Sequence, residues 1–244
     1  MVSLNRRYTF QVGDALANER TLTLSSGSNE GYLISLRPFV HPNASENEFP
    51  FEWGFAGPPA SAKVGKKDSE TDTIDFNFEF DTNVHLKLEN THRGVINTFW
   101  KTWESGLIEE RGQVFPFGAD KAGIEFFELW QPLDSTRPDY VALDENSANQ
   151  ETARSVVLTV DSTDFRGLVI TVGRWVQGIL FKKSENTIKG INFLRAVEQQ
   201  DGSWKTLLNY GSDFDKFPQS FVAPLHAAIE GSSALTWKVV ESNI

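Results

Sequence analysis

Apolar and polar residues alternate with period two along much of this chain, most strictly between residues 74 and 88. Ile74, Phe76, Phe78 and Phe80 alternate with Asp75, Asn77 and Glu79. Asp81, Thr82 and Asn83 interrupt, and Val84, Leu86 and Leu88 then alternate with His85 and Lys87. Alternation on both sides of a short polar turn predicts an antiparallel β-hairpin with one face on a core and the other in water. The same pattern predicts strands around Tyr8, Phe10 and Val12, around Leu22 and Leu24, around Tyr32, Ile34 and Leu36, and around Phe51, Trp53 and Phe55. Further strands are expected at 95–103, 107–117, 124–130, 156–160, 167–181, 187–197, 204–210 and 235–240. Extended loops are expected at 38–48, 61–73 and 134–151, and 144–153 reads as a short helix or loop. One helix is expected at 224–230, opened by Pro224 and closed by Gly231.

Short strands at this spacing suit barrels and sandwiches, and closing each sheet into a barrel would remove exposed edges. The stretch GADKAG at 118–123 is the predicted boundary, giving domains 1–120 and 121–244. The fold class is therefore all-β, as two antiparallel β-barrel domains with minor helix.

Composition narrows the function classes. A chain of 244 residues holds one or two domains and can bury a sizeable core without disulfides or metal. It has no cysteine, which excludes thiolate metal sites and cysteine nucleophiles, and favours a reducing compartment. The N-terminus lacks an apolar signal-peptide core, and no run is long enough to span a bilayer. The net charge of −10 argues against nucleic acid and anionic membrane surfaces as partners.

Candidate chemistry is sparse. His41, His85, His92 and His226 show no metal-ligand spacing, and nothing points to a cofactor. His85 is expected on the solvent face, and His92 in a turn whose backbone it can bond. Asp75 and Glu79 lie about 13 Å apart on one strand, too far for a glycosidase pair. Glu109 and Glu110 are adjacent and so point to opposite faces; a carboxyl pair drawn from different strands stays open at this stage. Nucleophile elbows and phosphate loops are absent. Gly173-Arg174-Trp175 has the G-x-W form of a lipocalin first strand but lies far too deep in the chain for that motif.

A barrel raises the alternative of a carrier for a small lipophilic ligand. The bulky set Phe51, Trp53, Phe55, Phe76, Phe78 and Phe80 suggests a filled first half. The smaller residues near Gly167, Gly173 and Gly178 suggest a cavity in the second, lined by Trp175, Ile179 and Phe181.

The segments NERTLTLSS at 18–26, FPFEWGFAG at 49–57, NTHRG at 90–94, VFPFGADK at 114–121, ELWQP at 128–132 and GRWVQG at 173–178 resemble the fungal Hri family over nearly the whole chain. These are yeast proteins named for interacting with a casein kinase I. The resemblance implies two calycin-like β-barrels and a non-catalytic adaptor located in the cytosol, with the nucleus as a second location. It also implies contacts with that kinase and with a subunit of the endoplasmic-reticulum translocation complex. It carries no catalytic residues. Casein kinase I accepts acidic residues three positions before its target, which makes Thr71, after Asp68, and Thr73, after Glu70, candidate phosphosites. Thr73 is the weaker because it abuts the strand beginning at Ile74.

Overall fold

A computed structural model describes residues 2–16, 18–27, 30–145, 147, 150–231 and 235–244. Among them, alternation produces two antiparallel sheets with little helix. The first contains β1 (Ser3–Val12), β2 (Ala15–Leu16), β3 (Leu22–Ser25), β4 (Leu33–Pro38), β5 (Phe51–Gly57), β6 (Ala62–Lys66), β7 (Asp72–Phe76), β8 (Phe80–Asp81), β9 (Ile96–Thr102), β10 (Ile108–Val114) and β11 (Ile124–Pro132). Its order is β6-β7-β9-β10-β11-β1-β3-β4-β5-β8, with β2 beside β1, and it curls into a half-barrel. The second contains β12 (Ser155–Asp161), β13 (Phe165–Val172), β14 (Trp175–Lys182), β15 (Ile191–Glu198), β16 (Trp204–Tyr210), β17 (Ala228–Glu230) and β18 (Thr236–Ser242). Its order is β16-β15-β14-β13-β12-β18-β17.

The change of sheet falls after Pro132 rather than at 118–123. That glycine-rich stretch is the connection of the β10–β11 hairpin, and β11 goes on to pair with β1 from Asn5↔Pro132 to Val12↔Phe126. A strand is assigned by its hydrogen-bond partners, and β11 finds its second partner at the start of the chain.

The hairpin expected at 74–88 is also replaced. Ile74 and Phe76 lie in β7, between β6 and β9, whereas Phe80 and Asp81 form β8 beside β5. The polar break is a helix start: Asp81 Oδ1 accepts from the backbone N–H groups of Asn83 and Val84, capping the single turn α1 (Thr82–His85). The same oxygen accepts from Trp53 Nε1 at 3.0 Å, which ties this turn to β5. His85 therefore leaves the expected solvent face and packs its ring 4.4 Å from Phe181.

The expected loop 61–73 is mostly the β6–β7 hairpin, leaving 67–71 as its tip. At 224–230 there is no helix. His226 has φ +68°, a value an α-helix does not accommodate, and 228–230 become β17. The segment 144–153 ends in a single 3-10 turn, Gln150–Thr152, while its residues 146, 148 and 149 lie outside the described set.

Alternation on β3 and β4 decides how the sheets assemble. Leu22, Leu24, Ile34 and Leu36 face the second sheet and share one core with Val157, Leu168, Ile170, Ile179, Phe181 and Phe193. Thr23, Ser25, Leu33 and Arg37 point the other way, into the hollow of the half-barrel. Two buried polar side chains cross the sheet-to-sheet layer. Gln177 Nε2 donates to the carbonyls of Leu22 (3.0 Å) and Ile34 (3.2 Å), and its Oε1 accepts from Arg195 Nε at 2.7 Å. Arg195 donates in turn to the carbonyl of Leu36 at 3.0 Å. The outer face of the second sheet, including Val156, Leu158, Val169, Leu180 and, from β18, Trp237 and Val239, packs against Phe217 and Ala223.

Candidate cavity in the half-barrel

Inside the curl of the first sheet is a cavity of about 1240 Å³, lined from β1, β3, β4, β5, β7, β9, β10 and β11. Its walls are largely aromatic and aliphatic. Trp53, Phe55, Phe76 and Phe78 run along one side, and Ile96, Trp100, Ile108, Phe126 and Trp130 along another. The bulky phenylalanines do not fill it, for two reasons. Phe51 and Phe80 turn into the sheet-to-sheet core. The others lie on one another, Phe55 on Phe78 with centroids 4.0 Å apart and Phe78 on Phe76 at 5.4 Å, so they surface the wall.

The second half is filled instead. A Cβ on Gly167 would lie 2.7 Å from Trp237, and one on Gly178 would lie 2.7 Å from Phe217. These glycines admit aromatic rings rather than leaving space. Gly173, at φ +57°, makes the β13–β14 turn. Trp175, Ile179 and Phe181, expected to line a cavity, are buried in the sheet-to-sheet core at 1%, 0% and 0% exposure. None of them reaches the cavity of the half-barrel.

Polar groups converge on that cavity's inner wall. On β10, Ile108, Glu110 and Val114 share the inward face; on β11, Phe126, Glu128, Trp130 and Pro132 do. The hairpin register sets Glu110 directly opposite Glu128. Arg37 comes from β4 and Glu52 from β5; Arg7, from β1, and Glu19, just before β3, join the cluster without lining the cavity. Arg7 pairs with Glu19 and reaches Glu128 at 3.3 Å. Arg37 reaches Glu52 at 3.5 Å and Glu128 at 3.6 Å, and its guanidinium lies 4.9 Å from the centroid of Trp53 and 5.0 Å from that of Phe55.

Like charges directly opposite on neighbouring strands repel, and the Glu110 carboxyl responds by holding its proton more tightly. Burial, and then the charge of Glu128, push the Glu110 carboxyl up to about 8, although Trp130 Nε1 donates to it at 2.8 Å. Burial also raises the Glu52 carboxyl, against the opposing pull of Arg37 and Arg7. Burial and the neighbouring Arg37 lower the Arg7 guanidinium. For Arg37, burial acts downward, but Glu128, Glu52, Glu110 and Glu19 together carry it upward. Glu128 Oε2, Arg37 Nε and Arg7 Nε are buried without a hydrogen-bond partner.

Glu109 points outward, as adjacency requires, and accepts from Trp103 Nε1 at 2.9 Å. The carboxyl pair thus comes from different strands. Its signal in the sequence is a glutamate at an inward position of two otherwise apolar rows.

The rim near the β6–β7 tip is polar. Lys101 pairs with Glu70 at 2.7 Å, and Lys66 with Asp72. Thr71 sits at this tip, where its N–H and that of Glu70 both donate to Asp68 Oδ1, at 2.8 and 2.9 Å. Thr73 is within β7, paired with Gly65 on one side and Phe99 on the other. His92 accepts from the Phe115 N–H at 3.0 Å and its other ring nitrogen meets the Val95 carbonyl, so it fastens its turn. Among the described residues, no cluster of three histidine or acidic side chains is arranged to hold a metal.

Comparison with known proteins places this architecture. The family model described as Protein HRI1 matches residues 3–241. The Protein HRI1 of Lachancea thermotolerans is 64% identical over 244 residues, covering 100% of this chain and 94% of that one. The Protein HRI1 of Saccharomyces cerevisiae strain YJM789 is 49% identical over 242 residues, covering 99% of each. A crystal structure of protein YLR301w from Saccharomyces cerevisiae superposes with a TM-score of 0.94 at 44% identity, over 100% of both chains. With its sequence matched from end to end and its fold shared with a solved relative, the chain belongs to the HRI1 family.

Proposed function

We propose that the protein binds a small amphiphilic molecule in the half-barrel cavity and holds it without chemical turnover. The observation that carries this reading is the cavity itself. At about 1240 Å³ it exceeds the ~300–1,000 Å³ usual for small-molecule pockets, its walls are aromatic, and a few polar groups converge on one side. An apolar body would displace water from the rings of Trp53, Phe55, Trp100 and Trp130, while a polar end would meet Arg37, Glu52, Glu110 and Glu128.

The experiment uses the cavity's own tryptophans. A brominated amphiphile that enters should quench Trp53, Trp100 and Trp130 by contact. Native mass spectrometry of protein purified from a eukaryotic host should show a stoichiometric adduct. No quenching up to the solubility limit, together with a bare protein mass, would end the reading.

A second reading, the adaptor, is favoured by the opposite surface. Tyr8 is 60% exposed on the β1 bulge and Phe99 is 42% exposed on the outer face of β9. Exposed aromatics on one sheet face suit a protein partner. The casein kinase I and the translocation-complex subunit implied by the family resemblance would meet the protein there, leaving the cavity free. Substituting Tyr8 and Phe99 with serine should abolish co-purification of such partners without changing ligand entry. Unchanged co-purification would remove this face.

A further inference from the structure

On the reading that the half-barrel cavity is a binding site, its inner wall sets the charge of what it binds. We propose that the bound molecule is an organic cation, an ammonium group on an apolar body, whose head sits against Glu110, Glu128 and Glu52.

Charge counting leads there first. The cluster holds four carboxyls, Glu19, Glu52, Glu110 and Glu128, and two guanidiniums, Arg7 and Arg37. Arg7 is shared between Glu19 and Glu128, the latter at 3.3 Å, and Arg37 between Glu128 and Glu52 at 3.6 and 3.5 Å, all of the Glu128 contacts falling on its Oε1. Glu110 has a tryptophan N–H but no ion pair. A carboxyl on an apolar wall must hold a proton, meet a cation or bear the cost of desolvation. The cluster therefore holds two more carboxyls than guanidiniums, and Glu110 is the one of the four with no ion pair.

Geometry points the same way. Glu110 and Glu128 face each other across β10 and β11, so one cation between them would satisfy both. Glu128 is 3% exposed, lines the cavity, and its Oε2 has no hydrogen-bond partner. The surrounding rings of Trp100 and Trp130, their centroids 6.5 Å apart, offer the π-faces that attract an ammonium.

An anionic head fits poorly. Arg37 is the one guanidinium among the described lining residues, and it is already engaged with two carboxylates and stacked against Trp53 and Phe55. A ligand carboxylate reaching it would confront Glu110 and Glu128. The rim lysines Lys66 and Lys101 are paired with Asp72 and Glu70.

The arrival of the cation moves a proton. At neutral pH the Glu110 carboxyl, raised by burial and by Glu128, holds its proton. When the ammonium docks, the Glu110 O–H bond breaks, the proton leaves to solvent, and the carboxylate accepts an N–H from the ligand. The charged groups facing Glu110 are Glu128 from β11, Arg37 from β4 and Arg7 from β1; the two guanidiniums pull its carboxyl downward but are paired with Glu19, Glu52 and Glu128 rather than with it.

The test is a matched series with the full chain: decylamine, 1-decanol and decanoate, below their aggregation limits, followed by tryptophan quenching and calorimetry. Decylamine should bind about tenfold or more tighter than decanol, the scale of one charge-assisted contact, and decanoate weakest. Calorimetry in buffers of different ionisation enthalpy should show proton release with decylamine. Glu110→Gln keeps an acceptor for Trp130 and should narrow the decylamine-to-decanol ratio to about threefold or less. If decanol or decanoate binds as tightly as decylamine in the unaltered protein, the cation assignment fails while the cavity reading stands. If none of the three binds, both fail.

Discussion

Gln177 is the most informative place to perturb the joint between the sheets. It is fully buried, donates to the carbonyls of Leu22 and Ile34 on the opposite sheet, and accepts from the buried Arg195. Replacing it with leucine keeps the volume and removes three bonds. The bond to the guanidinium is worth ~1.5–3 kcal/mol and the two neutral ones ~0.5–1.5 kcal/mol each, because their partners stay buried. The added apolar surface returns ~1–2 kcal/mol. The net loss expected for Gln177→Leu is therefore centred on ~3 kcal/mol, or a fall in melting temperature of roughly 6–12 °C for a chain of this size. Arg195 makes the experiment discriminating. Burial already lowers its pKa to about 10, and the contact with Tyr140 only partly opposes that. In Gln177→Leu the charge stays buried with Nε orphaned; in the double variant Gln177→Leu with Arg195→Met the charge is gone. Removing both partners of a buried polar pair costs less than removing one. The double variant should recover to within ~1–2 kcal/mol of the parent, with a coupling energy of at least ~1.5 kcal/mol. Urea melts followed by tryptophan fluorescence and far-ultraviolet circular dichroism measure all four corners of the cycle. A Gln177→Leu variant within ~0.5 kcal/mol of the parent, or an additive cycle, would refute the reasoning.

Glu110 makes stability depend on pH. Its folded pKa is about 8 against about 4.3 unfolded, so between these values the folded state holds a proton that the unfolded state has released. The contribution is fully present below about pH 4.3 and is lost as pH rises toward 8, at up to ~1.4 kcal/mol per pH unit. Glu110→Gln should flatten that decline, and parallel stability profiles for the two proteins from pH 5 to 8 would contradict it. Gly178→Ala would set a methyl 2.7 Å from Phe217 and 3.0 Å from Val169, an overpacking cost of ~1–3 kcal/mol. A melting temperature unchanged to within about 1 °C would show that the ring yields freely. Casein kinase I should place phosphate on Thr71, at the hairpin tip, and leave Thr73, held in β7 between two strands, unmodified. Phosphosite mapping with a Thr71→Ala variant checks this, and equal incorporation into both proteins would remove the tip as a target.

Sequence alone determined that the chain is all-β and antiparallel, and placed most strands, because alternation is a local property of the backbone. It set Glu109 and Glu110 on opposite faces of one strand and left a carboxyl pair from different strands open, without singling out Glu128. It could not say that the inward rows of β10 and β11 line a hollow, or that Arg37 and Glu52 reach the same wall. Those facts belong to strand partnership, and β11 finds its second partner at the beginning of the chain. Alternation distinguishes two faces of a strand without saying what covers each. The run from Ile74 to Phe80 therefore looked like one hairpin arm, although Phe76 and Phe78 line a cavity and Phe80 enters a core. Glycine is equally silent about its surroundings. At 167 and 178 it suggested empty space, and only the tertiary structure, by bringing Trp237 and Phe217 back from the C-terminal segment, decided that the space is filled. The open volume fell to the half richer in aromatics because stacked rings cover a wall without crossing it.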